Sequence, residues 1–245
     1  MFGILLMMGC TLKGTLPSAD VYPVQWFPGF VMAEQLAKKV PVHNQQDIEA
    51  LLDKSWDEPF KLINLQTQEV FSADHCRQVL PTITQLETYK PFEFPPFRYL
   101  ITMCVATQTI SNARPAQYSF LFDFKLDANF PLYAPKNLAF FTSSSEWRDV
   151  AQNKTIVSWN QAKSVKLVST DGNYQAKYQT MTGSSYQKLL LIARGDFNRD
   201  NIEDILLFAQ NNVIGGSYVA YRLFWLTKTN ENSPLTLIRE YPVSD

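Results

Sequence analysis

An α+β fold, with a helical N-terminal half packed on a mainly antiparallel C-terminal β-sheet, is predicted by three features of the sequence. Apolar residues recur at helical spacing in the stretch 21–153, whereas 154–245 is dominated by short alternating or continuous apolar runs. Aromatic residues make up 13% of the chain, with 17 Phe, 11 Tyr and 5 Trp, and such rings favour strands and large buried contacts. Hydrophobic residues reach 46% against 18% charged over 245 residues, enough to bury a core and too apolar for a disordered chain. These features place one α+β domain over 21–245, and the segment 1–20 that precedes it is read separately from its own residues.

Taken in order, Val21 to Phe30 mixes Trp26, Phe27 and prolines and is expected to be irregular, packed on the domain. Asn44 caps a predicted helix through Asp47 to Lys54, with Ile48, Leu51 and Leu52 on one face. A second short helix is expected from Ser72, carrying Asp74, His75, Cys76 and Val79 up to Pro81. The strongest helical signal follows Pro95 and Pro96, where Phe97, Leu100, Ile101, Cys104, Val105 and Gln108 form a stripe that Arg114-Pro115 ends. Tyr118 to Phe124 alternates like a strand, and Ser145 is placed to cap a short helix with Trp147 and Val150.

Beyond Thr155 the pattern is mostly strand. Val165 and Leu167 lead into an Asp171-Gly172 hairpin turn, and Tyr174, Ala176 and Tyr178 continue on the return strand. Leu189 to Ala193 and Ile205 to Phe208 are continuous apolar runs, the mark of central strands covered on both faces. Tyr218 to Leu226 and Leu235 to Tyr241 complete the sheet, and no internal repeat is present.

Several chemistries are poorly supplied. With 22 basic and 23 acidic residues the net charge is −1, so no basic face is forced and nucleic acid is not an expected partner. The three cysteines, Cys10, Cys76 and Cys104, form no CxxC pair, and His43 and His75 complete no zinc-finger spacing. There is no GxSxG elbow, P-loop, HExxH or dinucleotide fingerprint. Asp74, His75 and Cys76 are neighbours in sequence, and adjacent helical residues point in different directions, which disfavours a thiol triad. Trp26, Phe27 and the run Pro91 to Tyr99 are either cover for the core or an exposed aromatic recognition surface.

Met1 to Gly9 is apolar and uncharged, too short to span a bilayer at the roughly 20 residues that requires. Leu6-Met7-Met8-Gly9-Cys10 resembles a bacterial lipoprotein lipobox, with Met7 where Leu is usual and no basic residue before the apolar run. The resemblance implies lipidation of Cys10, a membrane anchor through that lipid, and, with Thr11 next, sorting to the outer membrane facing the periplasm. Setting Cys10 aside leaves Cys76 and Cys104 as an even pair suited to a disulfide in an oxidising compartment, which would staple the long helix to the one before it.

The segment Arg194-Gly195-Asp196-Phe197-Asn198-Arg199-Asp200-Asn201-Ile202-Glu203-Asp204 places oxygen-bearing side chains at its loop positions one, three, five and nine. Calcium takes roughly 6–8 oxygen ligands, and a tight loop with alternate oxygen donors turns them toward one point. Asp196, Asn198, Asp200, the backbone carbonyl of Ile202 and Asp204 are the expected ligands of a single calcium ion. Asn201 stands at the sixth position, where a left-handed backbone is needed; asparagine tolerates it better than most residues other than glycine. Arg194 and Arg199 are at hand as partial counter-charges. The loop resembles the DxDxDG loops of FG-GAP and VCBS-type repeats. It is present once, so neither a propeller nor the adhesion role of such proteins is implied. The leading functional expectation is a non-enzymatic envelope lipoprotein with a structural calcium, binding a protein or an envelope polymer. An immunity or inhibitor lipoprotein against a toxin or wall-degrading enzyme, and a hydrolase using acids near the loop, are the alternatives.

Overall fold

The structure is a computed structural model that describes residues 21–27 and 35–243. Cys10, the rest of 1–20 and the end of the Val21 to Phe30 segment lie outside the described residues. The α+β class is as predicted. Six strands form an antiparallel meander in which every sequence neighbour is a sheet neighbour: β5 (Val165–Asp171), β6 (Gln175–Thr180), β7 (Ser185–Gly195), β8 (Asp204–Val213), β9 (Val219–Thr227) and β10 (Thr236–Tyr241). A two-residue strand, β1 (Gln25–Trp26), pairs with Arg194 and Ala193 of β7.

Both faces of the central strands are buried, whereas the edge strand β5 is mostly exposed. Along β8, Ile205, Leu207 and Ala209 join one apolar cluster while Leu206 and Phe208 join the other, the period of two expected of a strand. On β7 the register shifts between Leu191 and Ala193, and this bulge sends both Ile192 and Ala193 to the same cluster. The continuous apolar runs were therefore a true sign of central, doubly covered strands.

One face is covered by the N-terminal half. Helix α1 (Gln45–Leu51) starts at an Asn44 cap that accepts from Asp47 N–H, with Asp47 answering back to the cap backbone. The long helix α3 (Phe94–Asn112) lies against β9. Its burial is not a stripe: Thr102, Met103, Ala106 and Thr107 are buried along with Phe97, Ile101 and Cys104, whereas Gln108 is exposed. Thr102 and Thr107 satisfy their hydroxyls on the carbonyls four residues back, so polar residues sit in the core at little cost. No helix among the described residues is long and apolar enough to cross a membrane.

This half also holds a three-stranded sheet that periodicity did not reveal: β2 (Phe60–Asn64) between β3 (Val70–Ala73) and β4 (Leu86–Thr88). Ser72 thus belongs to a strand, and the short helix α2 (Cys76–Val79) begins four residues later than expected, with His75 at its cap. Cys76 and Cys104 are disulfide-bonded with Cα atoms 5.5 Å apart, which ties α2 to α3 as anticipated.

The opposite face is covered by residues 118–162. Tyr118 to Phe124 is no strand; it makes a single bridge from Tyr118 and contributes Leu121 and Phe124 to the core as an irregular strap. After α4 (Phe130–Tyr133), helix α5 (Ser144–Gln152) is capped by Ser143, two residues before the expected Ser145. Helix α6 (Trp159–Ala162), an addition to the expected strands, buries Trp159 completely against Phe130 and Tyr178. The β5–β6 turn uses Gly172 at φ 55, and Tyr174 lies in that turn instead of on the return strand.

Candidate functional site

The β7–β8 connection is the acidic loop, framed by the register pair Gly195 and Asp204. Its internal order comes from carboxylates accepting backbone N–H groups. Asp196, 2% exposed, accepts from Arg199 N–H at 2.6 Å and Asp200 N–H at 3.2 Å on Oδ1, and from Asn201 N–H at 2.9 Å on Oδ2. Asn198 Oδ1 accepts from Asp200 N–H, and Asp200 Oδ1 accepts from Ile202 N–H. Arg199 at φ 70 and Asn201 at φ 68 are both left-handed, which turns these amides inward. Asn201 thus has the backbone its position demands; the same demand on Arg199 carried no sequence signal.

Asp204 is the outlier. It is fully buried, its Oδ2 accepts Phe197 N–H at 3.0 Å, and its Oδ1 has no partner. Burial pushes its carboxyl up to about 7 from 3.8, against the pull of the Phe197 amide and the Thr227 hydroxyl, with Asp200 and Asp196 adding to the rise. Thr227 faces Asp204 directly across β8 and β9, close enough to temper that rise, although its hydroxyl meets no hydrogen-bond geometry.

Among the described residues no cation pairs with these acids: Arg194 turns instead to Glu203, at 3.3 Å, and Arg199 makes no ion pair. Asn198 Nδ2 donates to Asp200 Oδ2 at 2.9 Å, so the exposed side of the loop is held by an amide. Among the described residues no three of His, Cys, Asp and Glu converge as a ready metal cluster, so Asp196, Asp200 and Asp204 stand in one loop without closing on one point. The Ile202 carbonyl accepts no hydrogen bond among the described residues.

Comparison with protein-family models, with curated proteins and with solved structures found no match to this chain.

The outer side of the loop is stitched to the strap that follows α3. Arg114 and Asp196 exchange backbone bonds at 3.0 and 2.8 Å, Gln117 and Tyr118 N–H both donate to the Asn201 carbonyl, and Glu203 N–H donates to Tyr118. Ser119 Oγ donates to Glu203 Oε2 at 2.6 Å, and Arg194 Nη1 reaches both that oxygen and the Leu121 carbonyl. Glu203, 4% exposed, was not among the expected site residues. Strand alternation was the available signal: with Asp204 turned to one side, its neighbour must turn to the other.

The Asp74-His75-Cys76 cluster offers no nucleophile, because Cys76 is in the disulfide. His75 Nδ1 bonds Asp74 Oδ1 at 2.8 Å, and hydrogen bonds from His75 and then Ser55 hold the Asp74 carboxyl below its usual range.

Proposed function

We propose that the protein is a non-catalytic lipoprotein of the bacterial cell envelope, organised by one structural calcium ion, that binds a protein or an envelope polymer. The observation that carries the calcium reading is the unpartnered, fully buried Oδ1 of Asp204. A buried carboxylate oxygen without a donor costs on the order of 1–3 kcal/mol or more, and a divalent cation removes that cost. Three further features of the described residues support it: acids that no arginine among them neutralises, an Ile202 carbonyl that none of them uses, and a backbone already wound around Asp196.

Asp196, Asn198, Asp200, the Ile202 carbonyl and Asp204 would hold the ion. Binding requires Asp200 to exchange its Asn198 bond for the metal. The ion would neutralise the acids and fix the turn between two central strands. Calcium suits this set better than magnesium, which demands near-ideal octahedral geometry and keeps its waters.

The Cys76–Cys104 disulfide supports an oxidising compartment. The lipobox-like Leu6 to Cys10 supports anchoring by a lipid on Cys10 and an outer-membrane, periplasm-facing location. Millimolar calcium is expected to raise the melting temperature and Asp200→Ala to abolish that rise; a wild type indifferent to calcium would refute the metal reading. Labelling with a palmitate analogue tests the anchor: the Cys10→Ala chain must lose both the label and membrane sedimentation.

A further inference from the structure

A cavity of about 400 Å³ lies beside the loop, and Arg194 and Glu203 are part of its lining. We propose that it binds a neutral saccharide ring; this rests on the reading that the protein binds an envelope polymer, and it names the polymer as a glycan. Two ring pairs line the cavity. Tyr22 meets Phe122 edge-on at 6.1 Å between centroids, and Phe27 meets Tyr174 at 4.5 Å. Phe122 and Tyr174 are 66% and 38% exposed, so part of each ring is open to a ligand.

The polar groups are placed by the fold and only half used. Every side-chain hydrogen bond of Arg194 among the described residues leaves from Nη1, and every one to Glu203 arrives at Oε2. Nη2 and Nε of Arg194 and Oε1 of Glu203 remain as two donor nitrogens and an acceptor without partners among the described residues, and none of these atoms is sealed from solvent. Arg194 also lies over the Phe124 ring at 5.7 Å, which fixes its plane.

The pair sums to zero charge, so a cationic or anionic ligand would leave one partner uncompensated in a largely buried place. A purely apolar ligand would strip water from the same groups and return nothing. A pyranose fits both demands: its C–H face packs on aromatic rings, and its neighbouring hydroxyls donate to a carboxylate and accept from a guanidinium. The volume is at the small end of the roughly 300–1,000 Å³ typical of ligand sites, which suits one or two rings of a longer chain.

The test uses the full chain with calcium present, titrated calorimetrically with an N-acetylglucosamine tetramer, with maltotetraose and with a tyrosine-containing tripeptide, alongside co-sedimentation with insoluble peptidoglycan sacculi. Saturable binding of a saccharide, weakened at least tenfold by Phe122→Ala and by Tyr174→Ala with unchanged melting temperature, supports the site. Saccharide binding that both variants retain overturns it. So does tripeptide binding without saccharide binding. Sacculi that still sediment both variants equally would overturn the cavity while leaving polymer binding intact; a wild type that binds no saccharide and no sacculi overturns both.

Discussion

Replacing Asp204 by asparagine should stabilise the calcium-free protein and remove its response to calcium. The residue is fully buried, and its carboxyl titrates near 7 in the folded chain against 3.8 for the ordinary group. Because the folded value is the higher one, the native state keeps a proton that the unfolded chain releases between about pH 4 and 7. Stability therefore falls as pH rises through that window, and above it the full penalty applies. At about 1.36 kcal/mol per pKa unit, the penalty is about 4 kcal/mol. Asparagine has no charge to bury; its oxygen can accept from Phe197 N–H, and its amide can donate toward the unpartnered Thr227 hydroxyl. In chelator at pH 8, Asp204→Asn should unfold about 10 °C above wild type, and at pH 4.5 the advantage should shrink to about 1 kcal/mol. In 10 mM calcium the order narrows: for a dissociation constant on the order of 10⁻⁴ M, wild type gains about 2.7 kcal/mol and the variant gains none. Thermal and denaturant melts at the two pH values, with and without calcium, measure all four quantities. A variant no more stable than wild type in chelator at pH 8, or one that gains as much from calcium, would refute the reasoning.

Asn201 uses only its backbone to bond the loop and strap and sits at φ 68; Asn201→Gly should be neutral or stabilise by less than about 1 kcal/mol, whereas Asn201→Ala should lower the melting temperature by a few degrees, about 1 kcal/mol. The Cys76–Cys104 bridge closes 28 residues, so the Cys76→Ala, Cys104→Ala double variant should lose about 3.5 kcal/mol and melt about 10 °C lower; a difference below about 2 °C would show that the unfolded chain gains little freedom without it.

The sequence was most legible where burial is simple. β7 and β8 lie in the middle of a sheet covered on both sides, and that environment leaves an unbroken apolar run. The disulfide was legible by counting. The β3–β2–β4 sheet was not, because its strands are three to five residues long and half-buried, too short for an alternation to register. Helix α3 gave the right span for a partly wrong reason: it is enclosed on several sides, so the stripe read from Phe97 to Gln108 missed Met103, Thr102 and Thr107. Tyr118 to Phe124 has a strand's alternation without a strand's partner, since Tyr118 gives its N–H and carbonyl to the acidic loop. In the loop itself the oxygen-bearing positions and the left-handed Asn201 were readable. The Glu203–Ser119 contact spans 84 residues and belongs to tertiary structure alone.

The stitching between loop and strap also bears on how the chain folds. Gln117 and Tyr118 donate to a carbonyl more than 80 residues away, and the strap they belong to is a direct continuation of the disulfide-bonded helix α3. These contacts join residues far apart in sequence, so they add contact order, which slows folding. Once made, they tie the fate of the helical layer to that of the sheet. The amides of Gln117 and Tyr118 should then exchange with solvent hydrogen only in openings that part the two halves of the molecule.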